Sequence, residues 1–251
     1  MAVFTRLLVG LDGSPRADAA FEQAVLLGER FRSTLIVAYV REGRHAADGA
    51  AMLDRARERV LAAELKVETA AIEGDADVEL ATLAKTADAV LVGRRGVTTA
   101  GSALGPTVVS LIRIAERCVI VCGGVPSPMR SIAVAWDGRE TSQRALERAI
   151  QFATVVESTI HIIHANDDRE AGLQVVGAAE AALSMQRVPF VTHVEPGRPG
   201  EVVAQVIKRT QCDSLFAGAH MTHVDGRPSA VVESHAEEIL LHTDIPVVIQ
   251  P

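Results

Sequence analysis

Aromatic side chains are scarce in this chain, with one Trp, one Tyr and six Phe in 251 residues. Basic residues are outnumbered as well, 25 Lys and Arg against 32 Asp and Glu, and the formal charge is -7. A surface of stacking rings and basic patches for nucleic acid is therefore excluded. Only three cysteines are present, and Cys118, Cys122 and Cys212 sit in or beside apolar segments. A disulfide framework is excluded, and buried thiols in a reducing compartment are expected. Cys118 and Cys122 of "CVIVC" read either as core packing or as a redox pair. No apolar run reaches transmembrane length, and the one in "MAVFTRLLVGLDGSP" is too short for a signal peptide, so a cytoplasmic protein is expected. Catalytic signatures are missing too. There is no G-x4-G-K-[ST], no G-x-S-x-G and no H-E-x-x-H, so no catalytic residue is assigned and a metabolic enzyme is not expected.

What the chain has is apolar mass, 48% of its residues, and an internal repeat. "LLVGLDGSPRADAAFEQAV" from Leu7 is echoed by "IAVAWDGRETSQRALERAI" from Ile132. At a constant offset of 125, Asp12-Gly13 matches Asp137-Gly138, Ser33-Thr34 matches Ser158-Thr159, Asp88 matches Asp213 and Gly93 matches Gly218. Such a register defines two copies of one unit. The Gly- and Pro-rich "GGVPSP", Gly123 to Pro128, divides them into domains over 1–125 and 129–251.

Within each copy short apolar runs alternate with helical periodicities, the pattern of a parallel sheet flanked by helices. "RLLVGL", "TLIVAYV", "VETAAI", "AVLVG" and "CVIVC" are the predicted strands of the first half. "SIAVAW", "TIHIIHA", "FVTHV", "SLFAG" and "PVVIQ" are those of the second. Ala20, Ala24, Leu27 and Phe31, then Leu53, Ala56, Val60 and Ala63, then Val108, Leu111, Ile112 and Ala115 mark helix faces between them. The expected fold class is α/β, two tandem Rossmann-like domains, each a five-stranded, mainly parallel sheet.

Ligands of such sheets bind beyond the carboxyl ends of the strands. Asp12 follows the first strand and Gly93 ends the fourth, so both are placed at that edge. Asp12 could accept from a ribose hydroxyl or hold a metal ion, or it could simply close the "DGSP" turn. Gly93 is the first glycine of "LVGRRGVTTAGSALGPTVV", where glycines leading into a helix either cradle phosphate against free N–H groups or only serve loop geometry.

The chain resembles the universal stress protein family in its tandem form, on "LLVGLDGSP" and "IAVAWDGRE", and on "DAVLVGRRG" and "DSLFAGAHM". The resemblance implies binding of ATP or a related adenine nucleotide, with Mg, and a regulatory role in stress. It also implies dimerisation through the last strand, here an internal pseudo-dimer with "CVIVC" and "PVVIQ" as neighbouring edges, or a homodimer. By the same resemblance Asp12 lies near the ribose, the Val40 backbone near the adenine, and Gly93, Gly96, Gly105 and Thr107 near the phosphates.

The family's loop pattern, G-x2-G-x9-G-[ST], is kept only in part. Gly93 and Gly96 match, but Gly105 comes one residue early and Pro106 follows it, so one N–H donor is lost while the helix start is preserved. Arg94 and Arg95 offer compensating charge, or are a solvated loop pair. In the second half Met221 replaces a glycine, and Glu233-Ser234 stands where Gly-Ser is expected; the carboxylate should repel phosphate. The first half is thus the candidate site and the second a degenerate one. Bulk added at Gly96 should impair binding more than bulk added at Gly218.

Seven of eight histidines lie in the second half. His161 and His164 should face opposite sides of one strand, while His220, His223 and His235 are the better zinc trio; no metal site is assigned. Two readings beside the nucleotide switch stay open, a nucleotide-free assembly scaffold and, more remotely, an α/β nucleotide-hydrolysing enzyme.

Overall fold

The computed structural model describes residues 4–41, 49–94, 104–219, 223–224, 227–228, 240 and 243–251. The chain divides into two compact units, Met1–Pro126 and Ser127–Pro251.

In the first unit β1 (Arg6–Leu11), β2 (Thr34–Arg41), β3 (Lys66–Glu73), β4 (Ala89–Gly93) and β5 (Cys118–Cys122) alternate with α1 (Pro15–Phe31), α2 (Gly49–Ala62), α3 (Ala76–Ala84) and α4 (Pro106–Ile114). The strand order is β3-β2-β1-β4-β5, all parallel. The chain steps outward from β1 to β3, then returns to the other side of β1, so the order reverses there and opens a crevice at the carboxyl edge. β1, β4 and β5 are apolar almost throughout, as strands covered on both faces must be. Ala20, Ala24, Leu27 and Phe31 of α1, Leu53, Ala56 and Val60 of α2, and Val108, Leu111 and Ile112 of α4 are buried. Ala63 falls just beyond α2 and is half-exposed.

The second unit repeats the plan. It contains β6 (Ser131–Ala135), α5 (Glu140–Val156), β7 (Thr159–Ala165), α6 (Arg169–Gln186), β8 (Phe190–Glu195), α7 (Pro199–Thr210) and β9 (Ser214–Gly218). The two-residue strands β10 (His223–Val224) and β11 (Arg227–Pro228) pair antiparallel, a hairpin the periodicity did not foretell, and β12 (Val247–Gln250) follows. The order is β12-β9-β6-β7-β8, again parallel.

Two of the matched pairs that betray the repeat, Asp88 with Asp213 and Ser33 with Ser158, tie the amino edge of each sheet. Asp88 Oδ2 accepts from the N–H groups of Thr5 and Arg6 at 2.6 and 2.9 Å. Its counterpart Asp213 accepts from Arg130 and Ser131 at 3.0 and 2.9 Å. Ser33 Oγ donates to the Phe4 carbonyl at 2.8 Å, and Ser158 Oγ to that of Met129 at 2.7 Å. Each aspartate satisfies amides at the start of a central strand, where the sheet ladder leaves them without strand partners.

Candidate functional site at the carboxyl edge of the first unit

Asp12 and Gly13 follow β1 directly. Gly13 takes φ +80°, a conformation glycine reaches without Cβ strain. Asp12 Oδ1 accepts from Ser14 N at 2.8 Å, so the carboxylate closes an Asx turn. Ser14 then caps α1, its Oγ accepting from Ala17 N at 3.1 Å, with Pro15 in the first helical position. The second unit copies the turn: Asp137 Oδ1 accepts from Arg139 N at 2.9 Å and Gly138 has φ +77°. The turn role of Asp12 is therefore structural, and it leaves a half-buried carboxylate at the edge.

Val40 lies beside Ile72, one residue beyond Tyr39, which pairs with Leu11. Its backbone thus reaches the same edge as Asp12. Tyr39 is buried under the start of α2, where a Cβ on Gly49 would fall 2.3 Å from the tyrosine ring. Further along α2, the Met52 side chain covers the Asp12-Gly13 turn, its Cε 3.2 Å from where a Gly13 Cβ would be.

Gly93 ends β4 and sits beside Cys122. A Cβ there would meet the carbonyl carbon and oxygen of Arg16 at 2.6 Å and Ala17 N at 2.9 Å. Gly218 has the same relation to α5, 2.4 and 2.5 Å from the Thr141 carbonyl carbon and oxygen. Both glycines are demanded by the close approach of strand and helix, whatever else they touch. Arg94 is not a solvated loop residue, being only 6% exposed. Its positive charge acts on the Cys122 thiol, which burial nonetheless pushes far above the usual thiol range. The Arg94 carbonyl accepts from Gly105 N at 3.0 Å, drawing the two ends of the glycine-rich loop together.

Gly105 is the N-cap of α4, Pro106 its first residue and Thr107 its second. Pro106 removes an N–H that the first turn cannot use internally, so the helix starts without loss, as the sequence led us to expect. Gly96 and Arg95 lie outside the described residues. Asp12, Val40, Gly93, Arg94, Gly105 and Thr107 all fall at one sheet edge, on both sides of the β1–β4 switch point.

The same edge of the second unit is closed by residues the sequence reading passed over. Trp136, standing where the first half has Leu11, is 5% exposed; its Nε1 donates to the Val175 carbonyl of α6 at 3.0 Å. His164 Nδ1 lies 2.8 Å from the Trp136 carbonyl, which can only accept, so that nitrogen carries the proton. His164 Nε2 then accepts from Asn166 at 3.4 Å. This chain pins the end of β7 and α6 over the end of β6. The offset of 125 that aligns Trp136 with Leu11 was the available signal. Met221, Glu233 and Ser234 lie outside the described residues, as do His220 and His235, and His223 is described only in its backbone. His161 and His164 do face opposite ways, His164 toward Gly172 of α6 and His161 toward His193. Among the described residues no group of three His, Cys, Asp or Glu could hold a metal ion, and no helix is long and apolar enough to cross a membrane.

The universal stress protein family model matches the chain twice, over residues 4–123 and 128–251. The chain belongs to the universal stress protein family. A universal stress protein from Archaeoglobus fulgidus superposes with TM-score 0.78 at 19% identity, covering 99% of this chain and 96% of its own. A putative universal stress protein from Pseudomonas aeruginosa gives TM-score 0.75 at 17% identity, over 98% and 93% of the two chains. These likenesses fix the tandem universal stress protein fold. A universal stress protein solved in complex with cAMP aligns with 47% of this chain and 97% of its own, at 26% identity and TM-score 0.41. Comparison with curated protein sequences finds no match.

Proposed function

We propose that this universal stress protein is a regulator whose first half binds an adenine nucleotide at the carboxyl edge of its sheet, and that it is not a metabolic enzyme. The observation that carries the reading is the convergence of Asp12, Val40, Gly93 and the Gly105-Pro106-Thr107 helix start on one switch-point crevice. The donor set suits the ligand. Val40 backbone groups can read an adenine edge, Asp12 can accept from ribose hydroxyls, and the Thr107 hydroxyl with the first amides of α4 can meet phosphate. Asp12 would also be the residue to carry Mg. The buried Arg94 guanidinium adds positive charge behind the loop. In the second half Trp136 and His164 fill the equivalent edge, which supports one site per chain.

A scaffold without nucleotide is favoured by one feature, Met52 lying across the Asp12-Gly13 turn where the ribose would sit. Titration calorimetry with ATP separates the two. Wild type should bind, and Asp12→Asn, which preserves the Asx turn, and Thr107→Val, which preserves shape, should each weaken binding about tenfold, or ~1.4 kcal/mol. Absence of binding by wild type at millimolar ATP would leave the scaffold.

A further inference from the structure

On the second unit two imidazoles face each other across neighbouring strands. Ile163 of β7 pairs with His193 of β8, and His161 pairs with Val191, so His161 and His193 project from the same face of the sheet. On that face Arg209 of α7 is ion-paired to Glu195, two residues along β8 from His193. His161 Nδ1 and His193 Nε2 are 3.1 Å apart. The ring planes are 15° apart and the centroids 5.4 Å. The centroids are thus further apart than the facing nitrogens by about two ring radii. The rings therefore meet edge to edge, nearly in one plane, with the two nitrogens in line.

Both rings are half-buried, and desolvation holds each imidazole below its usual proton affinity; the Arg209 charge acts in the same sense on His193. At neutral pH each ring is uncharged. One donates its facing N–H and the other offers its lone pair. If the donor ring moves that proton to its other nitrogen, a change of tautomer with no net proton release, two lone pairs point along one axis at the same spot.

We propose that His161 and His193 form a two-coordinate site for a soft monovalent cation of the copper(I) class, held in line between Nδ1 of His161 and Nε2 of His193. A closed-shell monovalent ion of this kind accepts two donors in line, and imidazole suits copper. Zinc instead takes four donors in a tetrahedron. Among the described residues no third ligand completes such a set, and Glu195 is engaged by Arg209. With metal–imidazole bonds of ~2.0 Å the nitrogens must stand about 4 Å apart. The rings therefore separate by somewhat less than 1 Å, a change that rotation of the His193 side chain on β8 can supply. The charge of the complex stays at plus one, beside the Glu195–Arg209 ion pair, whose carboxylate favours it and whose guanidinium opposes it.

The test is titration of the full chain with silver(I) nitrate, followed by side-chain imidazole nitrogen NMR without thiol reductant. One equivalent should shift His161 Nδ1 and His193 Nε2 and leave His164 unmoved. Affinity at this pair should fall at least thirtyfold in His161→Gln and in His193→Gln, with the backbone amide spectrum confirming that each variant is folded. His193→Asn replaces His193→Gln should the latter not fold. Silver that leaves both nitrogens unshifted, as it would if taken up only by thiols, overturns the site. So does affinity unchanged in the variants, or zinc(II) moving the same nitrogens more strongly than silver(I).

Discussion

Replacing Gly218 with alanine would place a Cβ 2.4 Å from the carbonyl carbon of Thr141 and 2.5 Å from its oxygen. Ordinary contact begins near 3.4 Å, so the first turn of α5 would have to retreat by about 1 Å. Overpacking of a closed interior costs ~1–3 kcal/mol, and because the struck atoms are helix backbone and not the end of a flexible side chain, the upper part of that range applies. Alanine recovers ~0.5–1 kcal/mol of the entropy that a strand glycine loses on folding. A net loss of about 2 kcal/mol is expected, which for a chain of this length is ~4–8 °C in melting temperature. Trp136 is the only tryptophan and lies buried in the same unit, so urea unfolding followed by its fluorescence reads the effect where it occurs. Gly177→Ala is the matched control. That helical glycine has nothing within 4 Å of its would-be Cβ, and alanine there should stabilise by ~0.5–1 kcal/mol. If Gly218→Ala unfolds within ~0.5 kcal/mol of wild type, close helix approach does not explain the glycine at this place. The same geometry means that bulk at Gly218 is no neutral control for a nucleotide experiment. Loss of binding in a Gly93 variant, likewise, means little until its fold is shown intact.

Two further outcomes are expected. Asp213→Ala should lower stability by ~1–2 kcal/mol in urea unfolding by stripping the Arg130 and Ser131 amides of their acceptor, with Asp213→Asn milder because it keeps one oxygen; equal effects of the two would count against this role. All three thiols are buried, and burial raises the pKa of Cys122 and Cys212, so the thiolate fraction at pH 8 is below that of a free cysteine. Iodoacetamide at that pH should label the native chain only on unfolding, and prompt labelling seen by mass spectrometry would contradict the packing.

The fold was legible because the copies annotate each other. The runs that open at Arg6, Thr34 and Ala89 have partners of the same type 125 residues on, at Ser131, Thr159 and Ser214, and the strands fall within a residue of where the runs place them. The candidate edge was legible in outline, since Asp12-Gly13 and Gly93 follow strands whatever their order. What each residue does there was not. A glycine that admits phosphate and one that admits a helix look alike in sequence, and only the 2.6 Å approach of Arg16 distinguishes them. Arg94 reads as a loop cation, yet its burial depends on packing between segments distant in sequence. The meeting of His161 with His193 depends on the β7–β8 register, which no local periodicity encodes.

Asp88 and Asp213, with Ser33 and Ser158, fasten each sheet at the rim opposite the candidate site. An internal duplication arranged this way separates what must be kept from what is free to drift. The anchoring rim keeps the same aspartate and serine in both copies, whereas at the other rim the Asp-Gly turn and the strand-end glycine are kept but Leu11 is matched by Trp136 and Tyr39 by His164 in the alignment of the halves. Because the anchors are remote from the altered residues, one copy could give up a ligand and fill the gap with its own side chains without losing the fold. A second specialisation, such as the paired imidazoles, could then arise on a surface that the first copy never had to adapt.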